Sequence, residues 1–544
     1  MPASLTWPVE RSNAELKTVM CTKIHTALIL SFSIASAVAK LPNIIIIYAD
    51  DLGFGDLSCY NSRSAYPTPR LDQMAAEGIR FTDAHSPSTI CSPSRYGLFS
   101  GQQIYRSTGR GGGAFEGPGG PSYLKPDTLT LGGMLQEKGY RTGVFGKWHV
   151  GLTWLDKEGK RLGGGFENSL LIDYEKSTPL IDGPNARGFD ESFVTPNCPC
   201  TDPLYIYIEN GMVPVPADRR YDPKSSPNPG GKWRWDNDAG WMAPGYEFVK
   251  ADLLFYEKTK KFITDHRQET PDKPFFAVFS TQIAHAPVLP APDFNGATGA
   301  GPRGDFVHEL DVLVGRVLDL VDELGIDDET LILFNADNGA ETVHVDWMRE
   351  DHNHDPSGGW RGVKRDAWEG GHRVPFIARW PGRIPAKQVS DQMTNTTDMM
   401  ATLASVVGYQ LPETAATDSF DMLPVMLGTQ DSTKSVRPHL LTQSFRGEFQ
   451  IRKGDWKYLD HKGSGGNDYD KGILQKYALK ETEPDAPGQL YNLASDPGET
   501  TNLYFKEEGK RKELQALLEE LKKSGRSAPR IRVPIGIENI PEIK

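Results

Sequence analysis

Four apolar runs along the chain are each followed closely by charged or imidazole side chains. The runs cover residues 44–47, 142–145, 275–279 and 331–334, and polar residues do not alternate within them. Continuous apolar runs of this length are typical of strands in a parallel sheet that is buried on both faces. The pattern therefore predicts four strands of one α/β sheet.

The polar residues that follow these runs are the first candidates for chemistry. In chain order they are Asp50, Asp51, Lys147, His149, His285, Asp337 and Asn338. Ligands of open α/β sheets bind beyond the carboxyl ends of the strands, so four strands ending in this way can direct their polar groups into one crevice. We expect the functional site there.

Helical periodicity fills the intervals between the runs. Leu71, Met74 and Ala75 share one face of a predicted helix that ends at Gly78, and a second helix is predicted within residues 128–140. The clearest helical period lies at residues 308–323, directly before the fourth run. This alternation predicts right-handed crossovers, with helices on both faces of a large, mostly parallel sheet.

Two parts of the chain depart from this alternation. Residues 158–245 are rich in Gly, Pro, Asp and Trp, and we expect them to form loops over the crevice. After about residue 427, short strand-like runs precede a charged helix, which predicts a smaller α+β subdomain. The expected division is an N-terminal extension at 1–39, a large domain at 40–427 and a C-terminal subdomain with a tail at 428–544.

The N-terminal extension has the pattern of an export signal. Lys23 precedes a largely apolar stretch at 27–39 with small residues spaced for cleavage, and the stretch is too short to span a bilayer. Residues 1–19 are charged, so translation from Met20 gives a better signal. We predict a mature chain that begins near Lys40 and is secreted, periplasmic or lumenal; a buried helix is the alternative.

Composition narrows the classes of partner. The formal net charge of -12 argues against binding of nucleic acid, which requires a basic surface. Five cysteines among 544 residues do not form a disulfide framework. Cys198 and Cys200 are separated by one proline, a spacing that predicts a loop or a strained pair.

The candidate residues favour a hard cation and an oxyanion. Asp50, Asp51, Asp337 and Asn338 offer oxygen ligands, which suit calcium or magnesium better than zinc. Aspartates after strands also cap helices or form turns, which is the simpler alternative. The nearby cations Arg95, Lys147, His149, His285 and Lys364 would stabilise a tetrahedral oxyanion such as sulfate or phosphate.

Seven sequence blocks in fixed order carry a resemblance to a known family. They are "NIIIIYADDLGFGD", "CSPSR" at 91–95, "GKWHVG", "HAP", "NADNGA", "GVKRDAWEGGHRVP" and "LYNLASDPGETTNL". Together they resemble the formylglycine-dependent type I sulfatases over residues 43–503. The resemblance implies an alkaline-phosphatase-like fold, with the catalytic domain at 40–427.

The resemblance also implies a role for each matching residue. Cys91 would be oxidised to Cα-formylglycine by a formylglycine-generating enzyme, and Asp50, Asp51, Asp337, Asn338 and residue 91 would bind calcium. Asp337 would accept a proton as the aldehyde hydrate attacks sulfur, while His285 and Lys364 would act on the sulfate and the leaving oxygen. His149, oriented by Lys147 and Arg95, would be the base that releases sulfate.

Other interpretations of Cys91 are a nucleophilic thiolate beside Arg95 or an inert buried thiol. One departure from the family pattern follows the motif. Many relatives have an arginine after the glycine, whereas Gly101 is followed here by Gln102. We expect this departure to affect only the efficiency of maturation.

The resemblance is greatest to carbohydrate sulfatases acting on 6-sulfated galactose or N-acetylgalactosamine. Candidate sugar-binding residues are Asp190, His352, His354, Arg361 and His372, although the two histidines at 352 and 354 can equally belong to a surface loop. The alternatives are a phosphatase or phosphodiesterase of the same superfamily, or an inactive sugar-binding relative. The sequence predicts no membrane span and leaves the oligomeric state open.

Overall fold

The apolar runs form the middle of a nine-stranded mixed sheet in a computed structural model. The structure describes residues 40–109, 111–115, 118–223, 239–530 and 534–543. The predicted export signal lies outside these residues. Among the described residues, no helix combines the length and apolar composition needed to cross a membrane.

Eighteen strands are present in this part of the chain. They are β1 (Asn43–Ala49), β2 (Ile79–Phe81), β3 (Ala84–His85), β4 (Arg141–Lys147), β5 (Glu191–Thr195), β6 (Leu204–Tyr205), β7 (Ile208–Glu209), β8 (Arg219–Tyr221), β9 (Gly240–Met242), β10 (Phe275–Ser280), β11 (Thr330–Ala336), β12 (Phe376–Arg379), β13 (Gln388–Ser390), β14 (Thr394–Asn395), β15 (Leu440–Gln443), β16 (Phe449–Lys453), β17 (Trp456–Leu459) and β18 (Gln489–Asn492).

Thirteen α-helices accompany the strands in the described residues. They are α1 (Pro69–Ala76), α2 (Cys91–Ser100), α3 (Tyr105–Thr108), α4 (Leu131–Glu137), α5 (Phe166–Ser169), α6 (Tyr174–Ser177), α7 (Ala251–Glu269), α8 (Gly301–Glu323), α9 (Thr342–His352), α10 (Glu369–His372), α11 (Asp398–Val406), α12 (Leu423–Met426) and α13 (Glu508–Lys523).

The large sheet has the strand order β13-β2-β12-β11-β1-β10-β4-β5-β7. Its middle strands β11, β1, β10, β4 and β5 are parallel, and β12 and β7 run antiparallel to their neighbours. All seven residues of β1 and of β11 are buried, which is why their sequences lack polar alternation. The predicted α/β fold with a large, mostly parallel sheet is confirmed.

Helices α1, α7 and α8 pack on one face of this sheet. Ile45 and Ile47 of β1 belong to the same hydrophobic core as Leu71 of α1, Phe262 of α7 and Leu310 of α8. The predicted face of α1 is confirmed, because Leu71, Met74 and Ala75 are its buried residues.

A separate four-stranded antiparallel sheet, in the order β15-β16-β17-β18, forms the C-terminal subdomain. Helix α13 packs on it through Leu514, Leu518 and Leu521. Both sheets lie in one compact unit that begins at Lys40. The predicted boundary at residue 427 therefore stays a prediction.

The expectation that residues 158–245 form only loops is wrong. β5 pairs with β4 in the large sheet, and β6, β8 and β9 form a small sheet of their own. These strands have two to five residues each. Strands this short leave too few positions for a periodic pattern to appear in the sequence.

Candidate active site

The register of the middle strands brings the predicted polar residues to one edge of the sheet. Ala49 of β1 pairs with Ala336 of β11, so the next residues, Asp50 and Asp337, lie side by side. On the other side of β1, β10 pairs with both β1 and β4. Lys147, the last residue of β4, therefore ends at the same edge.

Gly146 allows β4 to reach this edge. Its φ of 120° lies in the region that favours glycine, and a Cβ atom there would stand 1.7 Å from the carbonyl oxygen of Ser280. A side chain at residue 146 would separate β4 from β10. Glycine is thus needed for Lys147 to approach the carboxylates.

Buried ion pairs join the ends of β1, β4 and β11. The Lys147 ammonium lies 2.5 Å from Asp50 Oδ2. Arg95 donates to Asp337 Oδ2 through Nε at 3.1 Å and Nη2 at 2.9 Å, and it donates to Ser280 Oγ at 2.6 Å. Burial alone would raise the pKa of Asp50, but Lys147 and other nearby cations hold it well below the usual value.

Asp51 carries a second group of contacts. Lys364 Nζ lies 2.7 Å from Asp51 Oδ2, and the Asn338 amide donates to Asp51 Oδ1 at 2.7 Å. His285 Nε2 lies 3.7 Å from Asp51 Oδ2. Burial and Lys364 lower the pKa of His285, but Asp51 and Asp50 outweigh them and raise it to about 9.

Cys91 stands at the start of α2, directly over the carboxylates. Its sulfur lies 3.5 Å from Asp50 Oδ1, and the side chain is buried. A hydrogen bond between the Cys91 thiol and Cys198, together with burial, raises the pKa of the Cys91 thiol to about 12. A thiol with such a pKa is a poor nucleophile near neutral pH, which disfavours the interpretation of Cys91 as a working thiolate.

The oxygen groups at this edge fit a hard cation. Asn338 Oδ1 is buried and has no hydrogen-bond partner among the described residues, because the amide nitrogen of the same side chain is used for Asp51 and for the carbonyl of Gly339. Such an orphaned buried oxygen is costly unless a cation completes it. Asp50, Asp51 and Cys91 also place ligand atoms within 4.8 Å of one another and of His285. This donor set suits calcium or magnesium.

A cavity of about 600 Å³ opens onto Cys91. His149, His285 and Lys364 line it together with Cys91. Its walls also contain residues for which no functional prediction was made: Phe115, Phe166, Cys198, Thr201, Asp202, Arg365 and Phe445. Several of them belong to segment 158–245, so the expectation that this segment lies at the crevice holds for part of it.

Cys198 is the main functional candidate that the sequence pattern did not indicate. No disulfide joins it to Cys200, so the two do not form a strained pair. Cys200 donates instead to Gln282 Oε1 at 3.1 Å. No sequence signal distinguishes a thiol in a catalytic cavity from one in a loop.

The five predicted sugar-binding residues do not line this cavity. Asp190 accepts the backbone N–H of Thr142 at 2.9 Å, near the start of β4. His352 ends α9, beside Gly301 at the start of α8. His354 is buried, with its Nε2 3.2 Å from the hydroxyl of Tyr66.

Arg361 and His372 are engaged elsewhere as well. The Arg361 guanidinium stacks 3.5 Å from the ring centre of Trp368. His372 is buried, 2.9 Å from His85 and 3.2 Å from Lys457. The geometry thus gives no support to a sugar subsite made of these five residues. Internal hydrogen bonds or stacking contacts engage four of them: Asp190, His354, Arg361 and His372.

The carboxyl ends of the strands in this α/β sheet gather carboxylates and cations around one side chain. This arrangement is typical of hydrolases that act on esters of tetrahedral oxyanions. Residues 42–409 match the Sulfatase family model, and residues 359–526 match the model for the C-terminal part of N-sulphoglucosamine sulphohydrolase. The chain belongs to the sulfatase family and is a sulfuric ester hydrolase.

Individual relatives agree with this assignment. An N-acetylgalactosamine-6-O-sulfatase of Bacteroides thetaiotaomicron is 34% identical, over 89% of this chain and 94% of the relative. Arylsulfatase A of Homo sapiens is 33% identical, over 91% of this chain and 90% of the relative. A solved structure from work on glycosaminoglycan metabolism by Bacteroides thetaiotaomicron superposes with a TM-score of 0.74 at 30% identity, covering 89% of this chain and 100% of that chain.

Proposed function

We propose that this sulfatase removes sulfate from a sulfated carbohydrate, with 6-sulfated galactose or N-acetylgalactosamine as the favoured unit. We further propose that it uses a formylglycine made from Cys91 and a calcium ion bound by Asp50, Asp51, Asp337, Asn338 and residue 91. The observation that carries this proposal is the placement of Cys91 over a buried oxygen cage, 3.5 Å from Asp50, at the floor of an open cavity.

The hydrated formylglycine would supply a nucleophilic oxygen, and calcium would supply positive charge at the sulfate oxygens. The chain's own residues hold the reacting groups. Arg95 and Lys147 fix the carboxylates of Asp337 and Asp50 through contacts of 2.5–3.1 Å. Both carboxylates thereby keep one orientation toward residue 91.

Asp337 is the proposed proton acceptor during attack on sulfur. Burial and the Asp50 carboxylate raise the pKa of Asp337 to about 6, against the opposing effect of Arg95. A carboxylate in this range can take up a proton transiently near neutral pH. A cation bound at the cage would lower this pKa.

His285 and Lys364 are the proposed proton donors to the departing sugar oxygen. Both line the cavity, and the pKa of each is raised, that of Lys364 because Asp51 outweighs the cost of burial. Both side chains are therefore protonated at neutral pH and can also stabilise negative charge on sulfate.

His149 is the proposed base for release of sulfate. Its Nε2 lies 2.9 Å from the carbonyl oxygen of Phe115. A carbonyl oxygen can only accept, so Nε2 carries the proton and Nδ1 keeps its lone pair. Nδ1 is thus available to accept a proton from residue 91.

The carbohydrate assignment draws on the cavity and on the most similar relatives. The rings of Phe115, Phe166 and Phe445 line the cavity together with polar groups such as Asp202 and Arg365, a combination that suits a sugar with an apolar face and several hydroxyls. The named activity of the relative from Bacteroides thetaiotaomicron supports the 6-sulfate. We also propose export of the chain by its N-terminal signal and its maturation by a formylglycine-generating enzyme.

A panel of defined sulfated mono- and oligosaccharides tests this proposal by ion chromatography of free sulfate. The proposal predicts release from 6-sulfated galactose-type sugars by the matured protein and none by its Cys91→Ala variant. Release from aryl sulfates but from no sugar would contradict the carbohydrate assignment. Phosphate esters should give no comparable turnover.

A further inference from the structure

A second group of ligand atoms lies beside the oxygen cage and differs from it in chemistry. Cys198 Sγ is 3.6 Å from His285 Nε2 and 3.9 Å from His149 Nδ1. All three side chains are buried by the protein, yet they line the open cavity. A small solute can therefore reach them from solvent.

Both histidines present an unprotonated nitrogen to this sulfur in their neutral forms. His149 Nε2 donates to the carbonyl of Phe115, and His285 Nδ1 donates to the carbonyl of Ala286. The remaining nitrogens, His149 Nδ1 and His285 Nε2, are the ones that face Cys198. Histidines that bind metals almost always donate their other N–H to a carbonyl or carboxylate in this way.

The distances match those between the ligands of one metal ion. A tetrahedral zinc ion with a Zn–S bond of about 2.3 Å and a Zn–N bond of about 2.05 Å holds its sulfur and nitrogen about 3.6 Å apart. The two observed separations are 3.6 and 3.9 Å. Each histidine nitrogen thus lies within a few tenths of an ångström of the separation from the sulfur that a shared ion requires.

Asp202 adds an acidic group to the same place. Its Oδ2 accepts the backbone N–H of Cys198 at 2.6 Å. A carboxylate oxygen of Asp202 also lies within 4.8 Å of ligand atoms of Cys198 and His149. The carboxylate offsets part of the charge of a cation bound beside it.

We propose that Cys198, His149 and His285 form a binding site for a thiophilic divalent cation, of which zinc is the prime example, and that occupation of this site inhibits the enzyme. Binding would release the thiol proton of Cys198 and the Nε2 proton of the His285 imidazolium to solvent and form one metal–sulfur and two metal–nitrogen bonds, without any change of redox state. Soft sulfur and nitrogen ligands select a different metal from the hard oxygen cage, so excess calcium should not protect the enzyme. The inhibition, unlike the binding, rests on the proposed roles of His149 and His285.

The binding test uses the Cys91→Ala protein, which separates it from the catalytic proposal. Titration of this protein with Co²⁺ in excess calcium should produce thiolate-to-cobalt charge-transfer absorption. Adding Cys198→Ser should abolish that absorption, whereas adding Cys59→Ser should leave it intact, because Cys59 lies outside the cavity. Absence of the absorption in the Cys91→Ala protein would overturn the proposal, whatever substrate the active enzyme takes.

The inhibition test uses the matured enzyme in excess calcium. Zinc should inhibit sulfate release reversibly, and a chelator that takes zinc but leaves calcium should restore activity. Cys198→Ser should raise the zinc concentration for half inhibition by about tenfold or more, relative to its own uninhibited rate. Equal sensitivity of the wild-type and Cys198→Ser proteins would place the inhibitory zinc elsewhere and contradict the proposal.

A measurement on the wild-type protein covers the case in which Cys198→Ser fails to fold. Zinc should protect Cys198 from alkylation, as read by peptide mass mapping, while Cys59 in the same sample reacts as before. Alkylation of Cys198 at an unchanged rate in saturating zinc would contradict the proposed site.

Discussion

Lys364 offers the sharpest test of how the site stabilises charge. Its ammonium lies 2.7 Å from Asp51 Oδ2 and 3.6 Å from Glu341 Oε2, and only 4% of the residue is exposed. Lys364→Met removes the charge and keeps most of the side-chain volume. The comparison therefore isolates the electrostatic contribution.

The Lys364→Met substitution should lower kcat strongly and stability only moderately. A preorganised charge or donor at a developing anion contributes about 3–4 kcal/mol, so kcat should fall by about 10²–10³. Stability should suffer less than the 3–5 kcal/mol expected for an orphaned buried charge. Glu341 retains Arg365 at 2.6 Å, and Asp51 retains the amide of Asn338 at 2.7 Å.

Three measurements on Lys364→Met separate these effects: steady-state sulfate release, the melting temperature, and calcium affinity by calorimetry. Lys462→Met is the matched control, because Lys462 is exposed and donates only to the carbonyl of Pro484 at 2.9 Å in the described residues. A loss of kcat below tenfold, with calcium affinity unchanged, would refute the role of Lys364 at the sulfate group.

Three further predictions concern the oxygen cage, the buried ion pair of Arg303 with Asp56, and the buried carboxyl group of Asp252. Calcium at 100 times its Kd should stabilise the fold by about 2.7 kcal/mol, which raises the melting temperature by roughly 2–3 °C in a chain of this size. Asn338→Ala should abolish most of that shift in scanning calorimetry. An undiminished shift would contradict the role of Asn338 Oδ1. Arg303→Met should destabilise the protein by about 3–5 kcal/mol in denaturant titration, because Asp56 Oδ2, 2.6 Å from Arg303, would be left as a buried charge; a loss below about 1 kcal/mol would argue against this pairing. Burial raises the pKa of Asp252 to about 7 in the folded protein, whereas the same group in the unfolded chain loses its proton near pH 4. The folded state therefore binds more protons between these pH values, and the free energy of unfolding falls as the pH rises from about 4 to 7. Asp252→Asn keeps an acceptor for the N–H of Gln282 and should gain on the order of 4 kcal/mol over wild type at pH 8 but little at pH 4; an equal effect at both pH values would contradict the shifted pKa.

The middle of the sheet was predictable because its strands are buried on both faces. Burial on two sides demands apolar residues at every position, as in β1 and β11, and such runs are conspicuous in a sequence. The convergence of Asp50, Asp337 and Lys147 then followed from the rule that parallel strands end at one edge. The structure places all seven polar residues found in this way at that edge or in its cavity.

The outer strands and the cavity wall were not predictable on the same grounds. β5 is short and lies in a polar segment, so no periodic signal marks it. Histidines in a glycine-rich segment look alike whether they face a substrate or, like His354, satisfy internal hydrogen bonds. The role of Cys198 depends on its distance from His149 and His285, which only the folded chain defines.

The identity of residue 91 in the active enzyme is the most direct test of the central proposal. Trypsin releases residues 81–95 as one peptide, because Arg80 and Arg95 flank it, and its mass distinguishes cysteine from formylglycine. The proposal predicts the aldehyde form in a fraction that rises in proportion to specific sulfatase activity across preparations. Full sulfatase activity in protein that carries only unmodified cysteine at residue 91 would contradict it.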